Sequence, residues 1–498
     1  MQTENNNQEP QGTPDTTGSS NLLPVIIEPQ VGSDNDNTVD AQSADGVSHH
    51  EILRLLLSQI APVNLREIIG LPVEEEMKER HYQFAVVKVL RLVAMMNNWH
   101  MRNLNDYVYV YNGEYWKQFN KVEIRKFLSD AAIRMGMPAY EAKPYKFVDG
   151  LLKQFLSDAH FTVPEPDEKR VLINLKNKTL EFTAEGWKHK PFDPADFLTY
   201  QLPFAYDEGA TCPQFDSYLD KVLPDKCSQM VLQEFAGYIF TKMNLEMCLV
   251  LTGGGSNGKS VFFNILNALI GPENTLNFSM SSFSQEGNRA KLSNVLLNYS
   301  SETGFKLSPE IFKALVSGEP LQARELYCAP FTLRNKVRFI MNCNILPRET
   351  ENTEAYFRRF KIIPFEVTIK EHERDIHLAG KIIASELPGV FNWLLAGLER
   401  LLNQNEFSKC EKADAALAEF KKNADTVQLF LEEYSYRPSA TVKEALAHVY
   451  CKYEELCKAD KLIPIGRSRF SKELEHKGFE KKRTNAGYFV GIEAVATN

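Results

Sequence analysis

The chain has only eight cysteines in 498 residues: Cys212, Cys227, Cys248, Cys328, Cys343, Cys410, Cys451 and Cys457. No Cys-x-x-Cys occurs among them. That scatter argues against a disulfide scaffold or a zinc site and suits buried thiols in a reducing, cytoplasmic setting. Nor does any apolar run approach the roughly 20 residues of a membrane helix, so no membrane partner is expected. Positions 1–20 hold neither the basic nor the apolar region of a secretory signal, so none is expected. Lysine and arginine are absent from residues 1–50, which carry eight of the 65 acidic residues. The rest of the chain therefore holds 57 acidic residues against 57 basic ones. The formal net charge of −8 thus belongs to the N-terminal stretch, and it does not exclude a polyanionic partner.

That stretch, 1–48, is rich in Asn, Gln, Asp, Ser, Gly and Thr and reads as a disordered acidic tail. Its one apolar island is Leu22 to Ile27. Residues 49–205 read as an N-terminal α/β domain. Tyr107 to Tyr111, then Asn112-Gly113, then Glu114 to Lys117 predicts a tight hairpin. Its tyrosines are of a type that stacks on bases, though aromatics also favour any sheet surface. Val171 to Leu175 and Thr179 to Phe182 flank a second turn, and Val122 to Met135 is helical in pattern. Residues 206–244 read as a helical collar, with Leu232, Phe235, Ala236 and Ile239 at 3.6-residue spacing.

The next stretch carries the most chemistry. Gly253-Gly254-Gly255-Ser256-Asn257-Gly258-Lys259-Ser260 reads G-x-x-x-x-G-K-S, the phosphate-binding loop of nucleotide hydrolases. A strand-like run, Met247 to Leu251, precedes it. A helical run to Ile270 follows, stopped by Gly271-Pro272. The glycines thus lie between a strand and a helix N-terminus, where backbone N–H groups and the helix dipole favour an anion. Lys259 would reach the β- and γ-phosphates of ATP, and the Ser260 hydroxyl would hold Mg²⁺. Further strands are expected at 295–300, 337–341 and 360–365. Alternation with helices implies a parallel sheet in a core spanning 245–370, with ligands at the strands' C-terminal ends. Glu302 and Asn344 fall at such ends. Glu302 is a candidate to polarise water, Asn344 to bond the γ-phosphate or that water, and Arg358 or Arg359 to stabilise transition-state charge. Each taken alone has a packing alternative. Asn335-Lys336 is followed by Val337-Arg338, so the guanine-reading N-K-x-D of GTPases is absent.

Residues 371–425 read as a helical lid and polar linker. Residues 430–498 read as a winged helix, with helices at 442–458 and 468–477 and a hairpin around Thr484 to Gly487. Between 466 and 483 there are seven basic residues against three acidic ones. Arg469, Lys472, Lys481, Lys482 and Arg483 are candidate DNA-phosphate contacts.

In this order the motifs resemble superfamily 3 helicases, of the type forming the helicase half of phage and plasmid primase–helicases and of the poxvirus primase–helicase. The resemblance is carried by Gly253 to Ser260, Ser301-Glu302-Thr303, Phe312 to Glu319 with Ala323-Arg324-Glu325, Asn344-x-x-Pro347, and Arg358-Arg359-x-x-x-Ile363-Pro364-Phe365. It extends through Ile173 to Asn177, Cys212 to Phe215 and Asn392 to Gly397, and so covers nearly everything after residue 50. It implies an α/β multidomain protein whose AAA+ type core assembles as a homo-hexamer. Such a ring would use ATP and Mg²⁺ to translocate on single-stranded or forked DNA in the replication of a phage, plasmid or integrated element. It also implies a DNA-contacting hairpin within Leu321 to Lys336, with Arg324, Arg334 and Lys336 as its charged candidates. Arg359 would act on the neighbouring subunit's ATP, with Arg358 as the fallback. Two features depart from the pattern. Ser301 stands where many nucleotide hydrolases place a second acid, and the frequent N-terminal primase is not seen, so a separate primase partner is expected. The rival reading is a DNA-binding initiator or scaffold in which ATP only controls assembly.

Overall fold

In the computed structural model, the described residues are 47–104, 107–160, 170–183, 186–302, 308–326, 329–334, 337–344, 353–460, 462, 464–485 and 487–494. The acidic tail up to residue 46, including Leu22 to Ile27, lies outside them, as do Thr303, Cys328, Lys336 and Pro347.

Alternation over 100–119 is met by an antiparallel sheet of β1 (His100–Leu104), β2 (Tyr107–Tyr111) and β3 (Trp116–Phe119). Val108, Val110 and Phe119 face one way. They pack on the helices His49–Gln59, Glu79–Met96, Lys121–Arg134 and Tyr145–Asp158. Tyr109, Tyr111 and Trp116 face the other way and form a buried aromatic cluster. These two tyrosines are therefore neither an exposed sheet surface nor a platform for bases: burial uses up their ring faces. The expected tight turn is a four-residue loop, since Tyr111 pairs with Trp116. Asn112 decides this, because its Oδ1 accepts from the backbone N–H of Glu114 (3.0 Å) and Tyr115 (2.9 Å), an Asx turn.

A second antiparallel sheet follows, of β4 (Val171–Asn174), β5 (Thr179–Thr183) and β6 (Gly186–Lys190). Then come the helices Pro213–Val222 and Lys226–Tyr238.

Five strands build the central sheet: β7 (Cys248–Thr252), β8 (Thr275–Leu276), β9 (Leu297–Glu302), β12 (Arg338–Cys343) and β13 (Phe360–Pro364). A short antiparallel pair, β10 (Leu321–Ala323) and β11 (Phe331–Leu333), stands between β9 and β12 in sequence. The sheet order is β13-β7-β12-β9-β8, and every pairing is parallel. Both faces are covered, which is why these strands read as continuous apolar runs. Leu249 and Leu251 meet the helix Lys259–Ile270 on one face. Cys248 and Val250 meet Phe312 and Phe420 on the other. Arg338 opens β12 fully buried. Its guanidinium lies 3.7 Å from the Tyr238 ring centroid and donates to the Thr241 carbonyl (3.0 Å), tying the 226–238 helix to the sheet.

The helix Leu387–Gln404 packs along Lys226–Tyr238. The two backbones approach so closely that a Cβ on Gly397 would stand 2.4 Å from the Gln233 carbonyl oxygen. The expected linker before 425 is instead largely a helix, Glu411–Ala424, which packs on β13 with Phe420 buried. Its polar composition belongs to its outer face.

Residues 426–494 have a core of their own around Phe430, Tyr453 and Phe470. They comprise the helices Thr426–Glu433, Leu446–Ala459 and Arg467–His476, and an antiparallel sheet in the order β14 (Tyr436–Ala445), β16 (Gly487–Ala494), β15 (Lys481–Thr484). The helix expected from 442 begins at 446, because 443–445 pair with β16. No helix among the described residues is long and apolar enough to cross a membrane.

Candidate functional site

The loop 253–258 leaves the C-terminal end of β7 and feeds the helix Lys259–Ile270, whose N-cap is Gly258. Glycine is required at two of its positions. Gly258 has φ 87°, and a Cβ there would stand 2.7 Å from Val222. Gly253 has φ 148°, and its Cβ would stand 2.3 Å from the Phe365 carbonyl oxygen. Gly254 and Gly255 face open space. Ser256 takes a left-handed conformation, φ 62°.

Lys259 is buried. Its ammonium donates to the Gly253 carbonyl (2.9 Å) and to Asn257 Oδ1 (3.0 Å). Burial lowers its pKa from the usual lysine value. Asn257, also buried, donates its own Nδ2 to the Phe365 carbonyl (3.2 Å). Asn257 therefore both orients the ammonium and staples the loop to the end of β13. Ser260 is exposed in the first turn of the helix. Uncapped N–H groups at a helix start, beside a partly desolvated ammonium, suit a polyphosphate anion. The Ser260 hydroxyl is a hard oxygen donor of the kind magnesium accepts. Among the described residues no group of three or more His, Cys, Asp or Glu could hold a metal.

Glu302 ends β9. Its Cα is in register with Cys343, which is in register with Thr252, the residue before the loop. Three neighbouring strands thus end in one row, with Glu302 two strands from the loop, about 10 Å at the usual strand spacing. Asn344 follows that row directly and is exposed.

The two arginines lie at the opposite end of the sheet. Phe360 pairs with Cys248 at the start of β7, and the Cys248 N–H donates to the Arg359 carbonyl (2.7 Å). Their side chains differ sharply, with Arg359 6% exposed and Arg358 57%. Arg359 donates to Ser317 Oγ (2.8 Å) and pairs with Glu246 (3.1 Å). Arg358 shares that same Glu246 oxygen, also at 3.1 Å. The accessible guanidinium is therefore that of Arg358, not Arg359. Glu246, which pairs with both arginines, carried no signal in the sequence, and Ser317, inside the Phe312 to Glu319 motif, carried none for its bond to Arg359, since each becomes a partner only through the fold.

The candidate DNA contacts fall in two places. Arg324 and Arg334 are exposed and follow β10 and β11 respectively, while Lys336 lies outside the described residues. In the C-terminal module much of the positive excess is paired. Arg469 lies 4.0 Å from Glu473, Lys481 3.1 Å from Glu475 and Lys482 3.2 Å from Glu480. Lys472 and Arg483 are exposed, the latter with its guanidinium 5.9 Å from the Tyr488 ring centroid.

Comparison with known proteins adds to this geometry. A family described as D5 N terminal like matches residues 90–224, and a family of unknown function, DUF5906, matches 251–359. The chain is 24% identical over 309 residues to "Putative helicase L207/L206" of Acanthamoeba polyphaga mimivirus, covering 56% of this chain and 32% of that one. It is 22% identical over 310 residues to "Putative helicase 121R" of Invertebrate iridescent virus 3, covering 54% and 32% respectively. The chain thus spans about a third of the length of these relatives. Among solved structures, an apo form of the NrS-1 C-terminal region is 12% identical, covering 84% of this chain and 100% of that one, with a TM-score of 0.48. The D5-like region and the helicase-named viral relatives together support a phage or viral primase–helicase family for this chain.

Proposed function

We propose that this protein is an ATP-dependent DNA helicase whose AAA+ type core works as a homo-hexameric ring on single-stranded or forked DNA. The observation that carries the reading is the loop 253–258, set between β7 and a helix N-terminus, with the Lys259 ammonium held inside it and Glu302 in the row of strand ends beside it. In this reading the loop's backbone N–H groups and Lys259 hold the β- and γ-phosphates. Ser260 would hold Mg²⁺, which when bound would supply positive charge to the phosphate oxygens. The Glu302 carboxylate accepts a proton from the attacking water, and Asn344 orients that water or the γ-phosphate. Arg358 of a neighbouring subunit completes the site. The β10–β11 hairpin and the C-terminal module, which we read as a winged helix, contact DNA phosphates.

The test is ATP hydrolysis with and without single-stranded DNA, beside strand displacement on a forked duplex. Lys259→Ala should abolish turnover. Glu302→Gln should bind ATP and fail to turn it over, because the phosphate cradle survives while the proton acceptor is lost. Near-normal turnover by Glu302→Gln would remove Glu302 from the site. Hydrolysis without strand displacement, on any DNA, would favour an initiator or scaffold.

A further inference from the structure

We propose that Arg374 contacts the polyphosphate of a nucleotide held by the 253–258 loop of the same chain. The inference rests on reading that loop as a phosphate site.

After β13 the chain does not leave the loop. The Phe365 N–H donates to the Thr252 carbonyl (2.7 Å), Asn257 Nδ2 to the Phe365 carbonyl (3.2 Å) and the Ile369 N–H to the Ser256 carbonyl (2.8 Å). This track delivers Arg374, an exposed residue, to the open side of the loop, where its Nη2 donates to Ser256 Oγ at 2.6 Å. The neighbouring carboxylates are already engaged. Glu373 pairs with Lys221 (2.9 Å) and Asp375 with Lys381 (2.7 Å). So the guanidinium is not taken by the acids on either side of it in sequence, and it rests on a neutral hydroxyl. A hydroxyl is a weaker partner for a guanidinium than a phosphate, which accepts two parallel charge-assisted bonds. Beside Ser256 the loop presents Gly254 and Gly255, with nothing within 4 Å of where a Cβ would be. An anion cradled by the loop would occupy the space next to that guanidinium, and exchange of the Ser256 hydroxyl for phosphate follows. Lys259 reaches the same anion from inside the loop and Arg374 from outside.

The experiment measures affinity of the full chain for a fluorescent, non-hydrolysable ATP analogue with Mg²⁺, for wild type, Arg374→Lys, Arg374→Gln and Lys259→Ala. Glutamine keeps a donor for Ser256 and removes the charge; lysine keeps the charge. Contact with phosphate predicts wild type tightest, Arg374→Lys intermediate and Arg374→Gln weakest, by about tenfold or more. A bracing role for Ser256, which either replacement donor can fill, predicts that Arg374→Gln and Arg374→Lys bind alike and close to wild type. Wild-type affinity in Arg374→Gln, or a lysine variant no better than the glutamine one, overturns the proposal while leaving the loop reading intact. Wild-type affinity in Lys259→Ala overturns the loop reading and this inference with it. Melting temperatures without nucleotide should match among the Arg374 variants, since the side chain is exposed.

Discussion

The position of Arg358 leads to a complementation experiment. Within one chain Arg358 precedes β13, and the loop follows β7 at the far end of the same parallel pair. From Phe360 to Pro364, which is level with Thr252, the chain climbs four residues, about 13 Å at 3.3 Å per residue. An arginine tied to Glu246 below that span does not reach its own loop, so a catalytic role requires the loop of another subunit. Arg358→Ala and Lys259→Ala should each be inactive, because a missing arginine of this kind lowers turnover by roughly 10³–10⁵. Mixed rings should differ. The loop of an Arg358→Ala subunit facing the arginine of a Lys259→Ala subunit is a complete site. With equal random mixing about a quarter of head-to-tail interfaces have that composition. ATPase should therefore return to roughly a quarter of the wild-type rate per site after joint disassembly and reassembly. Two differently tagged variants allow co-assembly to be checked by pull-down. Co-assembly with ATPase still at background would refute the trans role of Arg358. Arg359→Ala tests the division of labour between the pair. It leaves Ser317 without its buried partner and should destabilise the fold by about 1–3 kcal/mol, read as a lower melting temperature.

Three further outcomes follow from the packing and the surface. His49 donates from its ring to the Tyr115 carbonyl (3.0 Å), and burial, reinforced by the nearby Lys117 charge, lowers its pKa from 6.5 to about 4. The unfolded chain therefore binds this proton before the folded one does. The stabilisation is complete above about pH 6.5 and is lost as pH falls towards 4, on the order of 3 kcal/mol in all. His49→Gln should flatten the denaturant midpoint across that window, and an unchanged pH profile would contradict it. Gly397→Ala forces a methyl group against the Gln233 carbonyl and should cost about 1–3 kcal/mol in a thermal melt, with an unchanged melt refuting the close crossing. Binding to single-stranded DNA should weaken steeply with salt. Each of Lys472→Ala and Arg483→Ala should reduce the log–log slope by about 0.7, whereas a slope unchanged in both would move the contact elsewhere.

Much of the central sheet was legible because local rules and global burial agree there. Continuous apolar runs predicted β7, β9, β12 and β13 to within two residues at most ends, and two-sided burial is the cause. The fold departs from the local pattern where one side chain or one distant contact decides. The Asn112 side chain lengthened a turn that the Asn-Gly pair suggested was tight. Residues 443–445 joined a sheet whose partner strand lies nearly fifty residues later. The polar stretch before 425 became a helix because its few apolar residues, Phe420 among them, found β13.

The glycine loop is the part that the sequence by itself determined. Positive φ at Gly253 and Gly258, the helix that starts at Lys259 and the lysine's reach back to the loop all involve residues within seven positions of one another, so the motif is legible locally, although Val222 and Phe365 close in on it through the fold. Only the tertiary structure decided which of Arg358 and Arg359 is buried and which is exposed. The two are adjacent, with the same charge and the same reach, and no local rule separates them. Ser317 lies about forty residues away and Glu246 more than a hundred. Arg359 is buried where Ser317 hydrogen-bonds it and Glu246 pairs with it, as a buried charge requires, while Arg358 meets Glu246 from the solvent side. Arg374 follows the same logic. In sequence it is one basic residue among several, and it gains meaning only because the chain after β13 runs back along the loop and sets it on Ser256, 118 residues away.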